Sequence, residues 1–263
     1  MTKQAYLVDG IRTPFGNFRG TLATIRTDDL GAIPIKSLVE KHPNIPKDAY
    51  DDVIFGCANQ AGEDNRNVAR MCLLLAGLPW SVPGETVNRL CSSGMSAIIH
   101  ANRAIKAGDG NLFISGGVEH MTRGPWVISK VSQPFGRDAQ MHDSSFGWRF
   151  VNKKMKELYG TDGMGTTAEN LAEMYKISRE DQDRFAHGSQ MKAATAQASG
   201  RLAKEIVSVE IPLSTRVLDP QVLAFRCNIL VTNHNRDHIK NQIVCYSQSL
   251  HQPLKDLARD RAQ

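Results

Sequence analysis

Short apolar runs and longer amphipathic segments alternate along the first 120 residues, with turn residues between them. The short runs have the composition of strands, whereas apolar residues spaced three and four apart predict helices. Strands are predicted at residues 5–9, 52–58, 85–90 and 111–116. Because strands that alternate with helices form parallel sheets covered by those helices, the pattern favours an α/β layered fold.

Three helices are predicted between these strands from their start and stop signals. They run from Thr27 to Glu40, from Asn65 or Asn67 to Ala76, and from Ser92 or Ser93 to Ala107. Pro34 predicts a kink in the first helix, because proline cannot donate an interior hydrogen bond. Gly77 and Gly108 follow the other two helices, at positions where a left-handed terminal residue is favoured.

The chain after residue 120 is organised differently. Residues 120–165 are rich in Gly, Pro and Ser and predict an inserted loop region, after which capped helices open at Thr166 and Ser178. A strand is predicted at residues 206–211, and the final stretch suggests a helix at 253–262. The predicted domains are a core at 1–120, a loop domain with following helices at 121–212, and an unfamiliar tail at 213–263.

Composition and charge describe an ordinary folded protein: 41% of the 263 residues are hydrophobic, 22% are charged, and the net charge is +5. The longest nearly apolar run, residues 71–80, is about half the roughly 20 residues that a membrane helix needs. The first residues do not have the pattern of a leader, and the basic residues are dispersed. We therefore expect a cytoplasmic protein that binds neither membrane nor nucleic acid.

Five cysteines, an odd number in a chain of this length, do not predict a disulfide framework, so reduced thiols are expected. Cys57 and Cys72 are predicted to be buried core residues. The tail contains four potential metal ligands, but solvated or core positions are the favoured interpretation, because their spacing matches no familiar zinc module. These four are Cys227, His234, His238 and Cys245. No metal site is predicted.

Cys91 is the strongest candidate for chemistry, because it lies where the predicted strand at 85–90 meets the helix that follows. Ligands bind at the carboxyl ends of strands in α/β sheets, and the partial positive charge of a helix N-terminus favours a thiolate. Backbone N–H groups of the first helical turn can receive an oxyanion, and Ser92, Ser93 and Gly94 are small enough for a substrate to approach. Spacing alone leaves open the alternative that Cys91 is a small core hydrophobe.

A series of motifs in a fixed order surrounds this candidate. They are Asp9-Gly10-Ile11-Arg12-Thr13-Pro14-Phe15-Gly16, Asn65-Arg66-Asn67-Val68-Ala69-Arg70, Leu75-Ala76-Gly77-Leu78-Pro79, Asn88-Arg89-Leu90-Cys91-Ser92-Ser93-Gly94, Gly116-Gly117-Val118-Glu119-His120-Met121-Thr122, Gly165-Thr166-Thr167-Ala168-Glu169-Asn170 and Ser178-Arg179-Glu180-Asp181-Gln182-Asp183. From about residue 4 to residue 212 the sequence closely resembles the thiolases, the acetyl-CoA acyltransferases. The condensing ketosynthases, which share their fold, have a different nucleophile motif.

The resemblance implies a layered fold of two similar α/β halves, with a loop domain inserted in the first half and CoA bound against it. It implies that Cys91 takes the acyl group of a 3-ketoacyl-CoA and passes it to CoA, an acyl-CoA:acetyl-CoA C-acyltransferase reaction with no bound cofactor. Acyl-CoA and CoA are then the partners, and a homo-oligomeric dimer or tetramer is implied.

Two segments refine the resemblance. Residues 148–152 and 162–165 are more similar to degradative members, including those that act on 3-oxoadipyl-CoA, than to short-chain biosynthetic ones. A degradative 3-ketoacyl-CoA thiolase, of the kind used in fatty-acid β-oxidation, is therefore expected. Met164 either lines the pantetheine or acyl pocket, as a cofactor-binding residue, or packs the loop domain.

The resemblance stops after Pro212. The family's second half would contain a Gly-His-Pro whose His activates the nucleophile and a Cys-x-Gly-Gly-Gly whose Cys moves the proton, and this sequence has neither. His100 and His120 are weak substitutes, since His100 lies nine positions beyond Cys91, about 13 Å by helix rise. The sequence predicts either a truncated thiolase or an inactive fragment that at most binds acyl-CoA or a full-length subunit.

Overall fold

The computed structural model describes residues 4–211 and the backbone of two short strands, Leu230–Thr232 and Ile243–Val244. The four potential metal ligands of the tail and its predicted helix lie outside the described residues. The described chain divides into two units: the first contains residues 4–13, 23–161 and 207–211, and the second contains residues 14–22 and 162–206 with the two tail strands.

A three-stranded parallel sheet forms the centre of the first unit. Its strands are β1 (Asp52–Gly56), β2 (Gly84–Val87) and β3 (Phe113–Gly117), in the spatial order β2-β1-β3. All three strands run in the same direction, with Gly56 opposite Val87 on one side and Gly117 on the other. The carboxyl ends of the strands therefore meet at one edge of the sheet.

Three helices cover this sheet, α1 (Thr27–Lys41), α2 (Val68–Leu75) and α3 (Ser93–Ala107). Val53 and Phe55 of β1 pack in a core with α1 and α2, whereas Ile54 packs with α3 on the other face. Because β1 is covered on both faces, its residues form a continuous apolar run rather than an alternating one. This helix–sheet–helix arrangement confirms the predicted α/β layered fold.

The three predicted helices are confirmed, and their ends at Asn67, Gly77 and Gly108 follow the predicted capping chemistry, whereas the residues that precede α1 and α3 make no side-chain capping hydrogen bond. The Asn67 side chain caps α2 by accepting the Arg70 N–H at 3.1 Å. Gly108 ends α3 with a φ of 94°, a left-handed conformation that glycine adopts without steric cost. The helix α1 continues on both sides of Pro34.

Two predicted strands are wrong. Residues 5–9 form no strand, and the apolar side chains of Tyr6, Leu7 and Val8 are 75–84% exposed. At residues 206–211 the backbone makes a single bridge, from the Val207 N–H to the Arg12 carbonyl at 2.9 Å. A strand needs a hydrogen-bonded neighbour along its length, and no described strand lies along either segment.

The region after residue 120 contains more regular structure than the predicted loop. It forms an antiparallel hairpin of β4 (Trp126–Ile128) and β5 (Met141–Asp143), followed by a helix, α4 (Lys153–Tyr159). The Asn152 side chain caps α4 by accepting the Met155 N–H at 3.1 Å. These elements belong to the same unit as the sheet, and the domain limits at residues 120 and 212 stay a prediction.

The second unit contains two helices, α5 (Met164–Met174) and α6 (Arg179–Ala198). The Ser178 side chain caps α6 by accepting the Asp181 N–H at 3.1 Å, as predicted, whereas α5 begins two residues before Thr166. The tail strands, β6 (Leu230–Thr232) and β7 (Ile243–Val244), pair with each other in antiparallel orientation. Short 3-10 helices occupy Thr21–Thr24, Met121–Arg123 and Leu202–Lys204. No helix in the described ranges has both the length and the apolar character needed to cross a membrane.

Candidate active site

Cys91 lies in a tight turn between β2 and α3, at the carboxyl edge of the sheet, and its side chain is exposed. The alternative of a small core hydrophobe is therefore excluded for Cys91. Cys57 and Cys72 are fully buried, as predicted. Of these three thiols, only Cys91 is open to a molecule arriving from solvent.

The turn is built around a left-handed residue. Leu90, immediately before Cys91, has a φ of 48°, which costs a residue with a side chain about 1–2 kcal/mol. Its N–H donates to the Asn88 side-chain oxygen at 2.9 Å, and its carbonyl accepts the Ser93 N–H at 3.0 Å. This turn ends β2 at Val87, three residues before the predicted end of the strand.

The Ser93 hydroxyl closes the same turn. It accepts the Arg89 N–H at 2.8 Å and donates to the Leu90 carbonyl at 2.6 Å. Ser93 is 5% exposed, so its hydroxyl is shielded from water and depends on these two partners for its hydrogen bonds. The residues before and after Cys91 are thus held by hydrogen bonds to one another.

Two amides of the predicted oxyanion site are already occupied. The Ser92 N–H donates to the Arg89 carbonyl at 3.0 Å, and the Ser93 N–H donates to the Leu90 carbonyl. The expectation that the first turn as a whole offers free N–H groups is therefore wrong for these two residues. They stabilise the turn instead.

Close backbone packing fixes the position of this turn relative to the sheet. A β-carbon on Gly56, the last residue of β1, would lie 2.2 Å from the Ser93 carbonyl carbon. A β-carbon on Gly117, at the end of β3, would lie 2.6 Å from the Gly56 oxygen. Sequence reasoning did not single out Gly56, although a glycine at the end of a buried strand is the signal of such an approach.

A cluster of acidic groups follows β1 and β3 at the same edge. The Glu119 carboxylate accepts the Ala58 N–H at 2.8 Å and the Asn59 N–H at 3.2 Å. Asp64 accepts the Gln60 and Gly62 N–H groups, at 3.1 and 2.9 Å, and the Cys57 thiol at 3.5 Å.

The potential ligand atoms of Cys57, Asp64 and Glu119 all lie within 4.8 Å of one another. Burial, with Glu119 and Asp64 nearby, raises the pKa of the Cys57 thiol to about 12. A protonated thiol is a poor metal ligand, and both carboxylates already accept backbone N–H groups. The cluster therefore orders the chain that leaves β1.

The remaining candidates lie elsewhere. His100 faces Glu85, with 3.9 Å between Nδ1 and Oε1, and it lies two turns into α3, about 10 Å along the helix from Ser93. His120 follows β3. Because β1 lies between β3 and β2, the carboxyl ends of β3 and β2 are about 10 Å apart. Met164 is 77% exposed at the start of α5, in the second unit. The structure thus assigns neither histidine to Cys91.

The motifs around this turn agree with a known family. The family model described as "Thiolase, N-terminal domain" matches residues 5–222. This chain belongs to the thiolase family. The family expected from the motifs is therefore confirmed.

Individual thiolases show the same relationship. The chain is 58% identical over 222 residues to a beta-ketoadipyl-CoA thiolase of Acinetobacter baylyi, a match that covers 84% of this chain and 55% of that protein. It is 58% identical over 207 residues to the 3-oxoadipyl-CoA/3-oxo-5,6-dehydrosuberyl-CoA thiolase of Escherichia coli, covering 79% of this chain and 52% of that one. The chain thus spans about half the length of these thiolases.

A solved thiolase structure confirms the fold. The crystal structure of the Bacillus anthracis acetyl-CoA acetyltransferase superposes with a TM-score of 0.70 at 32% identity, covering 82% of this chain and 53% of that one. The predicted assignment to the first half of a thiolase is confirmed. None of these three names refers to fatty-acid β-oxidation.

Proposed function

We propose that this chain forms the half of a thiolase that supplies the nucleophile, and that Cys91 accepts the acyl group. One observation carries the proposal: an exposed cysteine lies between the end of a parallel strand and the start of a helix, within the thiolase nucleophile motif. The ends of parallel strands are where α/β proteins bind ligands. Splitting one carbon–carbon cleavage into two acyl transfers is covalent catalysis.

The proposed reaction has two steps. The Cys91 thiolate attacks the 3-keto carbon of a 3-ketoacyl-CoA, and the resulting oxyanion collapses with cleavage of the bond between carbons 2 and 3. The leaving carbanion takes a proton and departs as acetyl-CoA, while the acyl group remains as a thioester on Cys91. The thiolate of CoA then attacks this thioester, releases the shortened acyl-CoA and regenerates the Cys91 thiolate.

We propose 3-oxoadipyl-CoA, a dicarboxylic 3-ketoacyl-CoA, as the substrate. Relatives named beta-ketoadipyl-CoA or 3-oxoadipyl-CoA thiolases are 58% identical to this chain, whereas an acetyl-CoA acetyltransferase of Syntrophomonas wolfei is 39% identical. This similarity supports the degradation of a dicarboxylic acid over fatty-acid β-oxidation. Cleavage of 3-oxoadipyl-CoA would leave a succinyl group on Cys91. The exposed Met164 is proposed to contact the pantetheine or acyl part of the substrate.

The groups that activate Cys91 are proposed to come from another polypeptide segment or subunit. The family's activating His and proton-moving Cys belong to motifs that this sequence does not contain. On α3, the helix that begins beside Cys91, Met95 and Ile98 are 67% and 39% exposed. This apolar surface favours a second candidate function, in which the chain is an inactive fragment that binds a full-length thiolase subunit.

Acylation of Cys91 tests the proposal. The chain is incubated with 3-oxoadipyl-CoA or acetoacetyl-CoA, without free CoA, and its intact mass is measured. We expect a mass increase of one acyl group, faster with 3-oxoadipyl-CoA, and peptide mapping should place it on Cys91 rather than on the other four cysteines. Addition of CoA should remove it.

Cys91→Ala and Cys72→Ser serve as the paired variants. Acylation should disappear in the first and persist in the second, because Cys72 is buried against α1 and cannot meet the substrate. A folded chain that stays unmodified with both substrates, even when a full-length thiolase subunit is present to supply the activating groups, would contradict the catalytic proposal. Binding of that chain to a full-length thiolase subunit would then support the second candidate function.

A further inference from the structure

We infer that Asn88 is a positioning residue for Cys91. Its side chain joins the turn that precedes the thiol to the segment that leaves β1, and Glu119 holds that segment in place. The inference rests on the proposed function, because it concerns how the Cys91 thiol is presented to a substrate. Neither Asn88 nor Glu119 touches the reacting atoms in this scheme. Both act through the backbone.

The Asn88 side chain uses both ends of its amide. Its Nδ2 donates to the Ala58 carbonyl at 3.0 Å, and its Oδ1 accepts the Leu90 N–H at 2.9 Å. The amide is planar and rigid, so the donor and acceptor ends are held at a fixed separation. A displacement of Ala58 is therefore transmitted to Leu90, the residue next to Cys91.

Glu119 holds Ala58, the residue to which the Asn88 side chain donates. One of its carboxylate oxygens accepts the Ala58 N–H at 2.8 Å, and the other accepts the Asn59 N–H at 3.2 Å. Hydrogen bonds to a charged acceptor are stronger than those between neutral groups. Ala58 is thus held through its N–H by Glu119 and through its carbonyl by Asn88.

The segment after β1 has two further attachments. The Cys57 N–H donates to the Val87 carbonyl at 3.1 Å, which extends the contact between β1 and β2. The Arg149 guanidinium donates to the Asn59 side-chain oxygen at 3.0 Å. Because this segment is held from several directions, it is a fixed point against which Asn88 can orient the turn.

The turn needs such an anchor because Leu90 is left-handed. A residue with a side chain disfavours a φ of 48°, whereas glycine adopts it readily. If Asn88 acts by holding Leu90 in this conformation, glycine at position 90 should compensate for the loss of the Asn88 side chain. Alanine at position 90 should not, because it retains the steric penalty. Leu90 is 71% exposed, so neither substitution removes much packing.

The experiment compares the full chain with Asn88→Ala, alone and combined with Leu90→Gly or Leu90→Ala. Three quantities are measured: the rate of Cys91 acylation by acetoacetyl-CoA, the rate of Cys91 alkylation by iodoacetamide, and hydrogen exchange at the Ser92 and Ser93 amides. These amides donate to Arg89 and Leu90, so their exchange reports closure of the turn. Alkylation reports whether the thiol remains accessible and reactive.

Asn88→Ala should slow acylation about tenfold or more, since small misplacements of a nucleophile carry costs of this size. Alkylation should change by less than about threefold, because iodoacetamide needs no aligned partner group. The Ser92 and Ser93 amides should exchange faster. Addition of Leu90→Gly should restore most of the acylation rate and the slow exchange, whereas addition of Leu90→Ala should restore neither.

Glu119→Gln and Asp51→Asn form a second, milder pair that does not depend on the folding of Asn88→Ala. Asp51 also accepts two backbone N–H groups, those of Asn111 at 2.7 Å and Leu112 at 2.9 Å, but it precedes β1 and so lies at the opposite edge of the sheet. Glu119→Gln should slow acylation with little change in alkylation. Asp51→Asn should leave the ratio of the two rates unchanged.

Two results would overturn the inference. One is acylation at the wild-type rate in both Asn88→Ala and Glu119→Gln, and the other is equal recovery with glycine and alanine at position 90. If the unsubstituted chain is not acylated at all, the proposed function fails instead. Hydrogen exchange then tests the positioning role of Asn88. Faster exchange in Asn88→Ala, reversed by Leu90→Gly but not by Leu90→Ala, still supports that role. Unchanged exchange in Asn88→Ala refutes it.

Discussion

Gly56 lies directly against Ser93, so close that a β-carbon on Gly56 would be 2.2 Å from the Ser93 carbonyl carbon. Real β-carbons do not approach a carbonyl carbon this closely, because the atoms would overlap. The carboxyl end of β1 therefore serves as the surface on which the first turn of α3 rests. This contact therefore sets the distance between the sheet and the proposed nucleophile, which lies two residues before Ser93.

Replacing Gly56 by alanine should destabilise the first unit and displace the Cys91 turn. We expect a loss of about 1–3 kcal/mol in the free energy of unfolding, the usual cost of overpacking a tight interior. Gly188→Ala is the control, because Gly188 lies within α6 and, apart from the adjoining helix backbone, no atom of the described residues is within 4 Å of its added β-carbon. It should be neutral or stabilising by up to about 1 kcal/mol. Urea unfolding measures both, and equal midpoints for Gly56→Ala and the wild type would refute the prediction.

Ser93 and Ser92 offer an adjacent pair for testing the turn itself. Ser93→Ala removes the hydroxyl that accepts the Arg89 N–H and donates to the Leu90 carbonyl, so the turn loses both of these hydrogen bonds. We expect a loss of about 1–3 kcal/mol in stability and slower acylation of Cys91. Ser92→Ala should change stability by less than about 0.5 kcal/mol, because the exposed Ser92 side chain makes no capping hydrogen bond. Similar losses in both variants would contradict this account.

The three described cysteines should differ sharply in reactivity. Cys91 is exposed, whereas burial raises the pKa of both Cys57 and Cys72 to about 12. At pH 8 iodoacetamide should label Cys91 within minutes, while Cys57 and Cys72 should react only after unfolding in denaturant. Peptide mapping by mass spectrometry at several times provides the measurement. Labelling of Cys57 or Cys72 at the rate of Cys91 in the folded chain would show that the core differs from the one described.

Glu63 should make the stability of the first unit depend on pH. The Arg123 guanidinium hydrogen-bonds its carboxylate, and the Thr27 N–H donates to it at 3.0 Å, lowering the pKa of Glu63 from 4.5 to about 2. The charged form is thus favoured by folding, so its stabilisation is complete above pH 4.5 and is lost as the pH falls toward 2.

Glu63→Gln should therefore lower the free energy of unfolding by about 2 kcal/mol at pH 7. It should also reduce the loss of stability that accompanies a fall in pH from 4.5 to 2. Glu40→Gln is the matched control, because Glu40 forms an exposed pair with Lys36, at 3.9 Å, of the kind that contributes little. Denaturant unfolding at a series of pH values measures the effect. An unchanged acid slope in Glu63→Gln would show that another carboxylate carries the pH dependence.

The sequence by itself was enough for the parts of the protein that depend on local rules. The helices covering the sheet were predictable because apolar spacing, the Asn67 cap and the left-handed Gly108 act within a few residues of one another. The family, and Cys91 as the candidate nucleophile, followed from motifs at the junction of a strand and a helix.

Partners distant in sequence decided the rest, and only the tertiary structure shows them. Residues 5–9 have the composition of a strand, yet they form none, because a strand depends on a neighbour that its own residues do not specify. The close approach of Gly56 to Ser93 and the hydrogen bond from the Ala58 N–H to Glu119 join residues more than 35 positions apart. The sequence thus determined that a cysteine stands at the start of a helix, whereas packing between strand ends decided how that cysteine is held.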